Sequence, residues 1–144
     1  MRILGVDPGL RATGYAVLQG SPQGAVLITS AVIRTEDGAS LSVRLHTIHA
    51  ALSDVIARFR PDGLAVEDLY AAQRFPRTAI LMGHVRGVVC LAAAQHGIPL
   101  EALPPAAVKS AISGFGGATK TQMQSAVRRL LGMGALKNVQ VLAL

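Results

Sequence analysis

The chain has 144 residues, is 51% hydrophobic and carries a formal net charge of +6. That length and apolar content fit one domain with a real core and exclude a disordered chain. The apolar runs are broken by His84, Arg86 or His96 before they reach the ~20 residues of a membrane span, and Asp7-Pro8-Gly9 interrupts the first run too early for a signal peptide.

The elements follow in order. Arg2–Val6, Gly14–Leu18 and Ala25–Arg34 are rich in Val, Ile and Leu and read as strands of an antiparallel meander, with Ser21-Pro22-Gln23-Gly24 as a turn. Leu41, Leu45, Ile48, Leu52, Val55 and Phe59 recur at spacings of three and four, which predicts an amphipathic helix. Ser40 is its expected N-cap, and Pro61 stops it near Arg60. Gly63–Glu67 is a short buried strand, and Thr78–Gln95 is a second long helix with Leu81, Val85, Val88 and Ala92 on one face. Ile98–Leu103 is a fifth strand, and Pro104-Pro105 opens a short helix to about Ile112. After Gly114-Phe115-Gly116-Gly117, Thr119 and Gln122 make a capping box for a last helix through Leu131. This order predicts one domain, a mixed sheet covered by helices on both faces.

Charge is divided unevenly. Residues 1–70 hold six Lys/Arg and seven Asp/Glu, whereas residues 71–144 hold eight and one. A basic half beside acidic strand ends suggests a polyanion gripped by one region and cut by the other. Asp7 closes the first strand, where Pro8 extends it and Gly9 allows the turn. Glu67 closes the fourth, where a lone charge is expensive to bury. If these two strands pair in parallel, both acids meet within a few ångströms and a shared Mg²⁺ or Mn²⁺ relieves their repulsion. Alternation points Asp68 to the opposite face. No Asp or Glu follows Glu101.

The Gly-rich loop before Lys120 offers backbone N–H groups and a lysine at a helix start, a phosphate seat without P-loop spacing. Tyr70, three residues past Glu67, reads equally as a packing residue or a base-stacking one. Gln73, Arg74 and Arg77 continue that loop and could grip phosphates. His46 and His49 have a metal-compatible spacing but no third ligand. Cys90, the only cysteine, reads as core, and a chain without internal disulfides suits a reducing cytoplasm.

The run Ile3-Leu4-Gly5-Val6-Asp7-Pro8-Gly9-Leu10-Arg11-Ala12-Thr13-Gly14-Tyr15 resembles the opening of the RuvC family of Holliday-junction resolvases. Ala65-Val66-Glu67 with Tyr70, Gly83-His84-Val85-Arg86-Gly87, Val108-Lys109 and Gly114–Gln122 continue the resemblance in order, over about residues 1–131. It implies a ribonuclease H-like fold, an α/β mixed five-stranded sheet flanked by helices. It also implies a cytoplasmic homodimer that nicks symmetric strands of four-way DNA junctions in recombination and repair, with a branch-migration helicase as partner.

Four carboxylates holding two Mg²⁺ or Mn²⁺ ions are implied too, with Asp7 and Glu67 as the first two. Lys120 is the expected catalytic cation. Lys109, Lys120, Tyr70, Arg74 and Arg77 are the expected DNA contacts, and the second long helix is the expected dimer contact. The other two acids belong after residue 131, where this chain offers only Asn138 and Gln140. The expectation is an atypical or truncated C-terminal segment and a chain that binds junctions but cleaves poorly. The alternative is a ribonuclease H-like nuclease acting on RNA.

Overall fold

A computed structural model describes residues 1–68 and 76–132. Five strands, β1 (Arg2–Asp7), β2 (Ala12–Ser21), β3 (Gly24–Arg34), β4 (Gly63–Glu67) and β5 (Leu100–Leu103), form one sheet. Four helices accompany them: α1 (Leu41–Phe59), α2 (Pro76–Gln95), α3 (Pro105–Ser113) and α4 (Lys120–Leu130). The strand order is β3-β2-β1-β4-β5. The meander β1-β2-β3 is antiparallel, and β4 and β5 join parallel to β1.

Register assigns each side chain to a face. Leu4, Val6, Val17, Leu64 and Val66 turn to one face and pack with Ile48, Leu52 and Val55 of α1 and Val85, Val89 and Ala92 of α2. Leu4, Ile48, Leu52, Val85 and Val89 are fully buried, so this layer is the core. The opposite face presents Gly5, Gly14, Ala16 and Ala65 at its centre. Val108 and Ile112 of α3 and Val127 of α4, with Leu131 beyond it, close over these small residues and leave a cavity of about 200 Å³.

The predicted caps are present. Ser40 Oγ accepts from the Val43 N–H, and Arg60 ends α1 in the left-handed region before Pro61. Thr119 and Gln122 form the reciprocal capping box of α4.

The bounds of several elements and one burial differ from the sequence expectation. β2 runs from Ala12 to Ser21, because its outer residues keep pairing with β3 beyond the span matched by β1. β3 begins at Gly24. β5 begins at Leu100, since the Pro99 carbonyl accepts the Leu64 N–H and lacks an N–H of its own to continue the ladder. α2 begins at Pro76, and proline is tolerated in a first turn. Cys90 is exposed rather than core, because α2 is apolar on all sides and turns Val85, Val89, Ala92 and Ala93 inward instead. By length and hydropathy alone α2 could cross a membrane. Its inner side is nevertheless part of the sheet's core, and Arg86 within it is ion-paired.

Candidate active site

Asp7 and Glu67 are brought together by the β1–β4 pairing. Val6 lies opposite Val66 in the parallel register, and the two acids come one residue later, on strands ~4.8 Å apart. Both turn to the small-residue face and line the same cavity. The Asp7 turn is tightly specified. Thr13, fully buried, donates its hydroxyl to the Gly9 carbonyl at 2.7 Å and accepts the Gly9 N–H at 3.3 Å. A Cβ on Gly9 would come within 2.5 Å of the Ala12 carbonyl oxygen, so only glycine fits. From the other side, Thr35 donates to the Leu10 carbonyl at 2.6 Å and accepts from Arg44 Nε of α1 at 2.8 Å.

Electrostatics mark the pair as unusual. Burial raises the Asp7 carboxyl above its ordinary value, and the Lys120 charge opposes the rise. Glu67 is also raised, first by burial and then by the negative charge of Asp7, with Lys109 opposing. Each carboxylate thus has a lysine within electrostatic reach and a like charge as neighbour. Such a pair gains from a divalent cation, which is the chemistry its oxygens suit. Two acids meet here, and among the described residues no group of three or more His, Cys, Asp or Glu could hold a metal.

The other expected residues fall in different places. Lys109 lies half-buried on α3, and exposed Lys120 opens α4. Arg77 is exposed in the first turn of α2. Tyr70, Gln73, Arg74, Asn138 and Gln140 lie outside the described residues. Asp68 turns away from Glu67, as alternation requires, and pairs with Arg86 of α2 at 3.0 Å. His49 Nε2 and Gln95 Oε1 lie 2.6 Å apart, a hydrogen bond that ties α1 to α2. Sequence reasoning missed Thr13, Thr35 and Arg44 as supports of the turn. Thr13 inside an apolar strand was the available signal.

A five-stranded sheet in this order, with acids at the ends of its two central parallel strands, defines a ribonuclease H-like nuclease fold. Residues 3–141 match the family described as crossover junction endodeoxyribonuclease RuvC. The chain is 46% identical over 131 residues to the RuvC of Rhodopirellula baltica, covering 91% of this chain and 74% of that protein. The Desulforamulus reducens protein is 41% identical, covering 92% of this chain and 81% of its own length. The structure of Thermus thermophilus RuvC superposes with a TM-score of 0.88 at 32% identity, covering 99% of this chain and 87% of that one. The same protein in complex with Holliday junction substrate gives 0.90 at 32%, covering 99% and 86%. The chain belongs to the RuvC family of crossover junction endodeoxyribonucleases.

Proposed function

We propose that this chain binds four-way DNA junctions and hydrolyses a phosphodiester in them, with divalent metal held by Asp7 and Glu67. The carrying observation is the pair itself: two desolvated, mutually repelling carboxylates at adjacent strand ends, each opposed by a lysine. Family membership and the junction-bound relative supply the substrate class. The ions are Mg²⁺ or Mn²⁺, two per site as the resemblance implies. When bound, such ions supply an acidified water and charge stabilisation for in-line displacement. Asp7 and Glu67 hold that charge, and the Thr13 clamp keeps Asp7 at the crevice. Lys120 stabilises negative charge developing on the phosphate, and Lys109 neutralises the approaching backbone beside Glu67. Tyr70 extends the DNA contact by resemblance, and Arg74 and Arg77, which follow it in sequence, do so as cations for backbone phosphates.

The acting unit is a homodimer joined through α2. This reading is supported by Ile80 and Leu91, 63% and 51% exposed on a helix that is apolar on more than one side. A branch-migration helicase partner and a cytoplasmic setting rest on the family resemblance and on the unpaired Cys90. A second reading, binding with poor cleavage, is favoured by one observation: where the resemblance implies acids after residue 131, this sequence reads Asn138 and Gln140.

Binding and cleavage are measured side by side on four-way DNA, linear duplex and structured RNA, with and without Mn²⁺. Preferential junction binding with Mn²⁺-dependent nicking, lost in Asp7→Asn, is the expected result. Junction binding with only trace nicking selects the second reading. Equal affinity for duplex, or preference for RNA, removes the junction from the proposal.

A further inference from the structure

One aromatic side chain stands apart from the acid pair. Phe115, in the loop between α3 and α4, is 63% exposed. An exposed ring usually belongs to a pliant loop, but this one is fixed at both ends of its peptide. Its N–H donates to Ser113 Oγ at 3.3 Å. Its carbonyl accepts from the Ala118 N–H at 3.2 Å, while the Ser113 hydroxyl gives its hydrogen to the nearer Lys109 carbonyl at 2.7 Å. The far edge of the ring then lies against Gly117. A Cβ built on Gly117 would sit 2.7 Å from Phe115 Cζ and 3.0 Å from Cε1, so only glycine lets the ring rest there. The result is an aromatic side chain held at its far edge by Gly117 and otherwise largely open to solvent.

Beside it runs a groove of about 330 Å³ along the outer side of α4. Phe115, Thr121, Gln122, Ser125 and Arg129 line it. Helical spacing puts Thr121, Ser125 and Arg129 on one side of α4, roughly opposite Val127, which covers the acid-pair cavity. The groove's polar groups are hydroxyls, an amide and a guanidinium. No carboxylate is present anywhere in residues 102–144 to repel an anion.

We propose that Phe115 is a base-stacking platform and that the adjoining α4 groove seats a nucleic-acid strand, with Arg129 on its phosphate. A fixed ring largely open to solvent suits a planar base, since every base has a π-face and pre-ordering removes the entropy loss of immobilising the ring. Donor groups without acids suit the backbone of the same strand. The inference rests on the nucleic-acid reading above and assigns it a second contact, on the side of α4 turned from the catalytic carboxylates.

The chain contains no tryptophan, so Phe115→Trp installs a single indole reporter at the platform. Affinity for a four-way junction and for a short oligothymidylate is titrated for wild type, Phe115→Ala, Phe115→Leu, Phe115→Trp, Gly117→Ala and Arg129→Ala. Phe115→Ala and Phe115→Leu weaken binding about tenfold, within the ~5- to 150-fold that base stacking supports, with unchanged salt slope. Phe115→Trp keeps wild-type affinity, and its emission is quenched on binding. Gly117→Ala, which keeps the ring but displaces it, shows the same loss as Phe115→Ala. Arg129→Ala lowers the salt slope by about 0.7 to 0.9.

Unaltered thermal unfolding of Phe115→Ala separates lost stacking from lost fold. Wild-type affinity in both Phe115→Ala and Phe115→Leu, or an indole emission that ignores added DNA, overturns the platform. Junction affinity no better than duplex affinity overturns the proposed function instead, while the oligothymidylate titration still reads the platform.

Discussion

The two faces of the sheet are built to different rules. Under α1 and α2, most positions are filled by branched or long apolar side chains, and Leu4, Ile48, Leu52, Val85 and Val89 see no solvent. Under α3 and α4, the floor is Gly5, Gly14, Ala16 and Ala65, and space is left beside two acids. One face therefore carries the packed core and the other a cavity beside two acids. The same strands serve both, because alternate residues point to opposite sides. A change on one face should leave the property of the other largely intact.

Truncating the packed face tests this most strongly. Leu52→Ala should destabilise the fold by about 3 kcal/mol through lost transfer energy and a cavity. Denaturant titration would read the loss, and Mn²⁺ affinity of the folded fraction should not change. A drop below about 1 kcal/mol would mean the α1 layer is not the main core.

The next effect falls on the turn between the two faces. Thr13→Val keeps the shape but removes both hydrogen bonds to Gly9, at a cost of about 1 to 2 kcal/mol. Unlike Leu52→Ala, it should also weaken Mn²⁺ binding, read by direct titration, because Asp7 loses its anchored turn. Unchanged Mn²⁺ affinity would make Thr13 purely structural.

The open face should show its own pH signature. Asp7 and Glu67 are raised in the folded state, so folding holds their protons more tightly than the unfolded chain does. Stability from these groups is present at low pH and is lost as pH rises from the ordinary carboxylate range through the raised values. Asp7→Asn and Glu67→Gln should each remove part of that fall and stabilise the metal-free protein at neutral pH. Mn²⁺ at tenfold its dissociation constant should add ~1.4 kcal/mol to wild type and much less to either variant. Thermal melts across pH check all three, and a wild type that gains stability through that window would reverse the assignment.

The smallest effect is expected from filling the cavity. Ala16→Val adds two methyl groups to the 200 Å³ space and should shift stability by less than about 1 kcal/mol either way. A cost like that of Leu52→Ala would show that this face is packed as tightly as the other.

Much of this organisation was legible in the residues. Ser40, Thr119 with Gln122 and Pro61 marked helix ends because capping and proline sterics are local. Asp7 and Glu67 were legible as strand-end acids because a charge closing an apolar run is costly. The cavity was not, because Gly5, Gly14, Ala16 and Ala65 lie on three strands and only pairing assembles them. Cys90 was misread for a related reason. A helix apolar on every side has no periodicity to say which side faces inward. Phe115 stood within a motif whose lysine drew attention, and its seat on Gly117 exists only in three dimensions.

The ion pair between Asp68 and Arg86 has a further consequence. Glu67 and Asp68 are adjacent acids of nearly equal chemistry, and only alternation decides which one enters the crevice. A one-residue slip of β4 against β1 would exchange them, placing Asp68 beside Asp7 and turning Glu67 toward α2. Arg86 holds Asp68 in the observed register. The pair therefore accompanies a strand alignment in which Glu67, rather than Asp68, stands beside Asp7, and is itself worth little in free energy.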